Sequence, residues 1–233
     1  MNHQQVEGLL FWFPAFVFST TLHEAAHAWA ALRMGDPTAY HGGQVSLSPI
    51  PHIRREPIGM LVLPLLTAFA NGWAIGWASA PFDPAWAVRH PRRASLMAAA
   101  GPLANLAIAA AVLLLVKLGC AAGDFALPPA GLHAWSALIV PSAAFDQSEL
   151  IAFGARALSV VLSLNALLAV FNLIPLPPLD GSAVLDLFLP GPLVGITRRL
   201  GPVGSLLGLF VAWKLFPLLA GPIHSVVEWL VAA

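Results

Sequence analysis

The chain has 233 residues, 58% hydrophobic and 9% charged, with eleven basic and eleven acidic side chains and a formal net charge of zero. Soluble domains carry roughly 25% charged residues. This composition, with a mean hydropathy of +0.80, therefore excludes a globular domain with one large core and describes a polytopic membrane protein. The balanced charge and the lack of a basic run speak against a nucleic-acid partner. A single cysteine, Cys120, excludes an internal disulfide framework and a cysteine-based zinc cluster.

The opening residues Met1 to Glu7 carry no Lys or Arg, so no n-region of a cleaved signal peptide is expected there. Gly8 to about Arg33 reads as the first membrane helix, with Pro14 in its first half and Gly35-Asp36-Pro37 ending it. Inside this apolar run lies Leu22-His23-Glu24-Ala25-Ala26-His27-Ala28-Trp29, an H-E-x-x-H signature. Helical spacing puts His23 and His27 one turn apart on one face, where two imidazoles can hold one metal ion. Glu24, next to the first histidine, is placed to handle the proton of an attacking water, as in zinc hydrolases. The setting strengthens the reading, because a carboxylate at mid-helix costs roughly 2.5–3.5 kcal/mol on insertion scales and marks function.

Residues 38 to 57 form a polar connection. Val45 and Leu47, alternating between Gly42-Gly43 and Pro49, suggest a short strand, and His52-Ile53-Arg54-Arg55-Glu56-Pro57 reads as a basic surface loop. Ile58 to Trp77 is apolar but broken by Pro64 and Asn71-Gly72, and Gly76 to Pro81 suggests a second short strand. After a basic loop at Arg89, Arg92 and Arg93, Ala94 to about Leu118 is an uninterrupted helix. Residues 119 to 150 hold no clean span. Ile151 to about Ile174 is the next strong helix, carrying Asn165 and Asn172 and ending at Pro175-Leu176-Pro177-Pro178-Leu179-Asp180-Gly181. A short helix is expected from Ser182 to Leu189, a last membrane helix from Val203 to Leu219, and an interfacial tail helix from Ile223 to Val231. The chain thus reads as all-α, with about four to six membrane helices or re-entrant segments and a small β element near the active site. It forms one domain over residues 1–233, with a catalytic core at about 8–190 and a C-terminal helix and tail at 200–233.

A catalytic zinc site needs three protein ligands and an open fourth position. Asp180 is the best candidate for the third, because non-helical backbone after a membrane helix can turn a carboxylate inward. The plainer alternative makes Asp180 a helix N-cap.

At these residues the chain resembles the site-2 protease family of intramembrane zinc metalloproteases. The resemblance rests on His23-Glu24-Ala25-Ala26-His27, on Ala100-Gly101-Pro102-Leu103-Ala104-Asn105, and on Asn172-Leu173-Ile174-Pro175-Leu176-Pro177-Pro178-Leu179-Asp180-Gly181. It implies that His23, His27 and Asp180 bind one zinc ion and that Glu24 is the catalytic acid/base. It implies further that Asn172 positions the substrate backbone or stabilises the oxyanion, with Gly101 and Asn105 in support; close helix packing accounts for those two equally well. The chain looks like the compact subgroup without PDZ or CBS modules. It departs from that subgroup between Ser48 and Pro57, which weakens any role carried over to His52. The substrate implied is a transmembrane protein or peptide within the lipid bilayer, and the oligomeric state stays open. The alternatives are a membrane metal-binding or transport protein, or a membrane zinc protease of the prenyl-protein-processing type.

Topology follows from the chemistry. For one ion to join the first helix to Asp180, that helix and Ile151–Ile174 must run in the same direction, with an odd number of crossings between them. Ala94–Leu118 supplies one, so Ile58–Trp77 is expected to enter and return. Arg33, Arg54, Arg55, Arg89, Arg92, Arg93, Arg198 and Arg199 then share one face, opposite Asp124, Asp146 and Glu149. The positive-inside rule makes the basic face cytoplasmic, with the site nearer that face and the N-terminus outside.

Overall fold

The computed structural model of the chain describes residues 1–129, 134–189 and 201–233. The described residues are mostly helical, with one two-stranded antiparallel ribbon among them. Among the described residues, three helices are long and apolar enough to cross a bilayer: Pro91–Ala122, Glu149–Asn172 and Val203–Ala232. Their outward faces are apolar, with Leu103, Leu114, Leu118, Leu206, Phe210 and Trp213 all exposed. Such a surface is suited to lipid rather than to water. The chain is a membrane protein.

The first helix is longer than its sequence signals. α1 (His3–Glu7), a π-helical turn (Gly8–Trp12) and α2 (Phe13–Arg33) run on without a break. α1 starts in a capping box between Asn2 and Gln5. α2 ends where Gly35 takes a φ of 100°, open to glycine without strain. α2 is not among the three apolar spans, because its polar residues are many. Ser19, Thr20, Thr21, His23, Glu24 and His27 are nevertheless all buried against protein.

α7 (Pro91–Ala122) lies antiparallel to α2: Arg93 reaches the Met34 carbonyl, His27 meets Met97, and His23 meets Asn105. α8 (Glu149–Asn172) lies antiparallel to α7 and therefore runs parallel to α2. Contacts follow that order, with Phe11 against Phe153 at ring centroids 5.0 Å apart, Ser19 against Asn165, and His23 against Asp180 beyond the end of α8. The two helices thus share a direction with one crossing between them, as expected from the chemistry. α8 is the innermost span: Val160 and Leu164 join Phe11, Trp12, Ala15 and Phe16, while Ala155 and Leu162 join Val112, Val116, Val227 and Val231.

The segment from Ile58 returns. A π-helical turn (Ile58–Val62) and α5 (Leu63–Asn71) end at Gly72, left-handed at φ 78°, after which residues 73–83 come back extended. These fourteen helical residues rise about 21 Å, short of the roughly 30 Å hydrocarbon core. The two ends meet: the Ser79 hydroxyl donates to Glu56 Oε1 at 2.6 Å, Arg55 Nε to the Ser79 carbonyl at 3.1 Å, and the Trp77 amide to the Gly59 carbonyl at 3.1 Å. The backbones approach so closely that a Cβ at Gly59 would overlap the Trp77 carbonyl. The basic residues at 54–55 and 89–93 therefore lie at the same end of the molecule, while Arg198 and Arg199 fall outside the described residues.

Four expectations need correction. Neither Gln44–Ser48 nor residues 73–80 pairs as a strand; the ribbon is instead β1 (Phe125–Ala126) with β2 (Val140–Pro141). That ribbon sits beyond Gly119, about 27 Å along α7 from Gly101, so it is not near the histidines. The alternation at 45–47 finds no neighbouring strand, and residues 73–80 bond back to the helical segment before them, Ile75 to the Thr67 hydroxyl and Trp77 to the Gly59 carbonyl. The basic stretch is a short helix, α4 (Pro49–Arg55), because Ser48 caps it and Pro49 opens it; His52 is buried and hydrogen-bonded to the Ser46 carbonyl. Finally, the expected last helix and separate tail are one helix, α10 (Gly201–Ala232), which continues through Pro217 and Pro222. Each proline removes one amide donor, and an otherwise apolar helix in lipid accommodates that loss.

Asp36 pins the loop after α2. Its carboxylate accepts from the Thr38 amide and hydroxyl and from the Asp83 amide at 2.8 Å, tying α2 to the start of α6 (Pro84–Arg89). Burial works to raise its pKa, but these three donors hold the carboxyl below its ordinary value. A depressed carboxyl stabilises the fold above its unfolded pKa of about 3.9 and loses that contribution as pH falls through the lower folded value. The thermal stability of Asp36→Asn should therefore fall below that of the wild type at pH 7, with the gap closing towards pH 3. For the topology, cysteines placed at Arg54 and Arg92 in a Cys120→Ser background should be labelled from the same membrane face; labelling from opposite faces would refute the returning segment.

Candidate metal centre

His23 and His27 project from one face of α2 with ring centroids 4.6 Å apart and planes at 82°. Their Nε2 atoms are 3.0 Å apart. Asp180 opens the short helix α9 (Asp180–Val184) just after the loop that follows α8. Its Oδ2 stands 3.1 Å from His23 Nε2 and 3.3 Å from His27 Nε2. Among the described residues these three form the group of donors close enough together to hold a metal ion, all within 4.8 Å. Both histidines are buried, and Asp180 keeps a partly exposed edge. Leu179, not Asp180, occupies the N-cap of α9, so the plainer N-cap alternative for Asp180 does not apply.

The loop carrying Asp180 is packed from two sides. A Cβ at Gly181 would overlap the carbonyls of Leu173 and Ile174, and one at Gly208 of α10 would overlap the Pro177 carbonyl. Ala212 of α10 closes over Ile174 and Leu179.

The donor set fits a zinc ion: two imidazole nitrogens and one carboxylate oxygen converge from a rigid helix and a braced loop. Gly101 supports the fit. A Cβ built there would lie 2.5 Å from His23 Nε2 and closer still to His27 Nε2, in the space an ion bound to both nitrogens would need. Glu24 is buried in the same helix turn, and its Oε2 has no hydrogen-bond partner among the described residues. An unpaired carboxylate oxygen is costly in such a place and is available to a ligand or a water.

Each ring also holds a partner on its far nitrogen. His27 Nδ1 is 2.8 Å from the Met97 carbonyl, which can only accept, so Nδ1 carries the proton and Nε2 presents its lone pair. His23 Nδ1 is 2.6 Å from Asn105 Oδ1, and Asn105 in turn meets Asn165. Asn165 is the residue that sequence reading passed over; it was visible only as a lone polar residue in a membrane helix. Asn172 stays outside this constellation, with its side-chain nitrogen donating to the Leu168 carbonyl of its own helix at 3.0 Å.

Beside this centre α2 borders two apolar grooves of about 380 and 390 Å³ that share Leu47. Leu22, Ala25, Ala26 and Trp29 form one wall of the first, and Val45, Ser46 and Leu47 the other. The 44–48 segment thus lies along α2 without being a strand, and Asn172 does not line either groove.

These residues form a cluster that could hold a metal ion, in a membrane protein. The chain is 33% identical over 186 residues, 78% of its length and 71% of the relative's, to a Bacillus subtilis protein named "Putative zinc metalloprotease YwhC". It is 30% identical over 220 residues, 92% of its length and 70% of the relative's, to "Putative zinc metalloprotease Rip2" of Mycobacterium tuberculosis. No family model matches the chain, and no solved structure matches it. The chain belongs to the zinc metalloprotease family that YwhC and Rip2 represent.

Gly101→Ala should abolish zinc binding, since its methyl group would stand where the two Nε2 atoms converge. Metal analysis of the purified variant checks this, with circular dichroism showing that the helices persist. A variant that kept one zinc per chain would show that the ion lies elsewhere.

Proposed function

We propose that the protein is an intramembrane zinc metalloprotease of the site-2 protease type, which hydrolyses peptide bonds within or near transmembrane segments. The observation that carries this reading is the convergence of His23, His27 and Asp180 beside an unpartnered, buried Glu24 in a protein made of membrane helices. His23, His27 and Asp180 hold one zinc ion, and the whole of residues 1–233 serves as a single membrane domain. When bound, zinc polarises the scissile carbonyl and makes water a nucleophile near neutral pH.

The chain's own groups do the rest. Glu24 Oε2 accepts a proton from the attacking water as the new carbon–oxygen bond forms, then delivers it to the amine as the carbon–nitrogen bond breaks. The imidazoles and the Asp180 carboxylate stay in place throughout, held by the Met97 carbonyl, Asn105 and the packed loop. A substrate helix hides its peptide bonds in its own hydrogen bonds and must unwind before attack. The apolar grooves along α2 are suited to receive its side chains, and residues 45–47, which line the first groove opposite α2, lie beside the opened main chain. Asn172 is reserved for the substrate backbone, which would have to reach the end of α8. The protein sits in the cell membrane as a multi-pass chain, with the basic end cytoplasmic, the centre nearer that face and the N-terminus outside.

Purified protein should cleave members of a panel of single-span membrane substrates. Glu24→Gln should keep one zinc per chain while cleavage falls at least about a hundredfold, the usual scale for a lost general base. Undiminished cleavage by Glu24→Gln would remove Glu24 from the chemistry. Zinc bound with no cleavage of any substrate by the wild type would favour a metal-binding or transport role.

A further inference from the structure

We propose that Asn165 is a positioning residue, which sets the tautomer of His23 through Asn105 so that the Nε2 lone pair faces the metal. The proposal rests on the metal-centre reading above.

A neutral imidazole carries its proton on either nitrogen, and the partner of one nitrogen decides which. For His27 the partner is a backbone carbonyl and the matter is closed. For His23 the partner is the Asn105 amide, which can turn either its oxygen or its NH2 group to the ring. On its own, Asn105 decides nothing. Its other end meets Asn165, another amide with the same freedom.

The chain of contacts ends at a group with no such freedom. The Asn165 side-chain nitrogen is 2.8 Å from the Val161 carbonyl, which only accepts. The group of Asn165 facing it must therefore be NH2, so Asn165 Oδ1 points to Asn105. Asn105 must then offer its own NH2 across the 2.8 Å contact, which turns its Oδ1 to His23. An oxygen 2.6 Å from Nδ1 requires the proton on Nδ1, and Nε2 is left bare towards His27 and Asp180. Ser19 Oγ, 2.9 Å from the Asn165 nitrogen, takes the second hydrogen; its hydroxyl rotates to suit and decides nothing.

Ser19, Asn105 and Asn165 are all 0% exposed. Bulk solvent does not reach a reversed amide here, which would set like against like at each joint. The relay crosses three helices, from Val161 and Asn165 on α8 through Asn105 on α7 to His23 on α2. The competing account is that these amides only glue helices together.

The test is a zinc titration of purified protein against a competing chelator. Asn165→Leu should weaken zinc about tenfold or more, the scale of lost outer-shell partners. Asn105→Asp supplies a carboxylate that accepts from Nδ1–H in either orientation, so in that background Asn165→Leu should cost less than about twofold. An equal loss in both backgrounds would mean packing alone and overturn the proposal, as would no loss in the wild-type background. Where Asn165→Leu fails to fold, imidazole-15N spectra of the metal-free wild type decide, with His23 assigned by its loss in His23→Gln. The neutral His23 ring should show its proton on Nδ1; a proton on Nε2 would overturn the proposal. A wild type that binds no zinc would instead sink the metal-centre reading itself.

Discussion

Two bare imidazole nitrogens and a carboxylate oxygen, all within 3.3 Å of one another, repel unless positive charge stands among them. In water that repulsion would be modest. Between membrane helices, where the effective dielectric is low, it is larger. The site is therefore a demand placed on the fold rather than a by-product of it. The parallel course of α2 and α8, the single crossing of α7 and the glycine at 101 are the terms on which that demand is met. A divalent ion would satisfy it as no single proton can, since one proton cannot bond to three acceptors at once.

The same low dielectric explains why polar groups here come in satisfied sets. Asn105, Asn165 and Ser19 sit at mid-helix positions where a lone amide would be expensive, and each spends its donors on the next. The set also joins α2, α7 and α8 at the depth of the metal ligands, so one network orients a ligand and holds the helices that carry it. Not every buried atom is met: Thr20 Oγ1, Thr21 Oγ1 and Glu24 Oε2, all on α2, have no hydrogen-bond partner among the described residues, and on the proposed reading the Glu24 oxygen is the one that receives a water.

What could be read in the sequence follows the range over which each signal acts. His23, Glu24 and His27 were legible because a helix brings residues four apart together by local geometry alone. The returning course of 58–77 was legible for a different reason: one ion must join two distant segments, and only an odd number of crossings allows it. The basic stretch at 52–57 was misread over residues 52–55, which end the helix Pro49–Arg55, because its arginines suggested a loop, while the Ser48 cap and Pro49 start are short signals easily outweighed. The supposed strand at 44–48 failed because strands need partners, and partners are not local. Asn165 was invisible as a site residue, since its meaning lies in contacts with Asn105 and Ser19, 60 and 146 residues away in the chain.

The third ligand raises a question of precision. Two ligands on one helix are held by the helix itself, whereas a loop residue such as Asp180 has no such guarantee. Here the loop borrows rigidity from its surroundings. Gly181 lets it press against the carbonyls that end α8, and Gly208 lets α10 press against Pro177 from the other side. Ala212 then packs on Ile174 and Leu179, the residues flanking the bend. Small residues at these contacts bring backbone to backbone, where no side-chain rotamer can absorb a displacement. The C-terminal helix thus contributes to the metal centre without touching it. It holds Asp180 in place from outside, as the Val161 carbonyl aligns His23 from within. A carboxylate fixed in this way meets the imidazoles with little left to rearrange when the ion arrives, so ordering the loop takes little from the binding energy of the ligands.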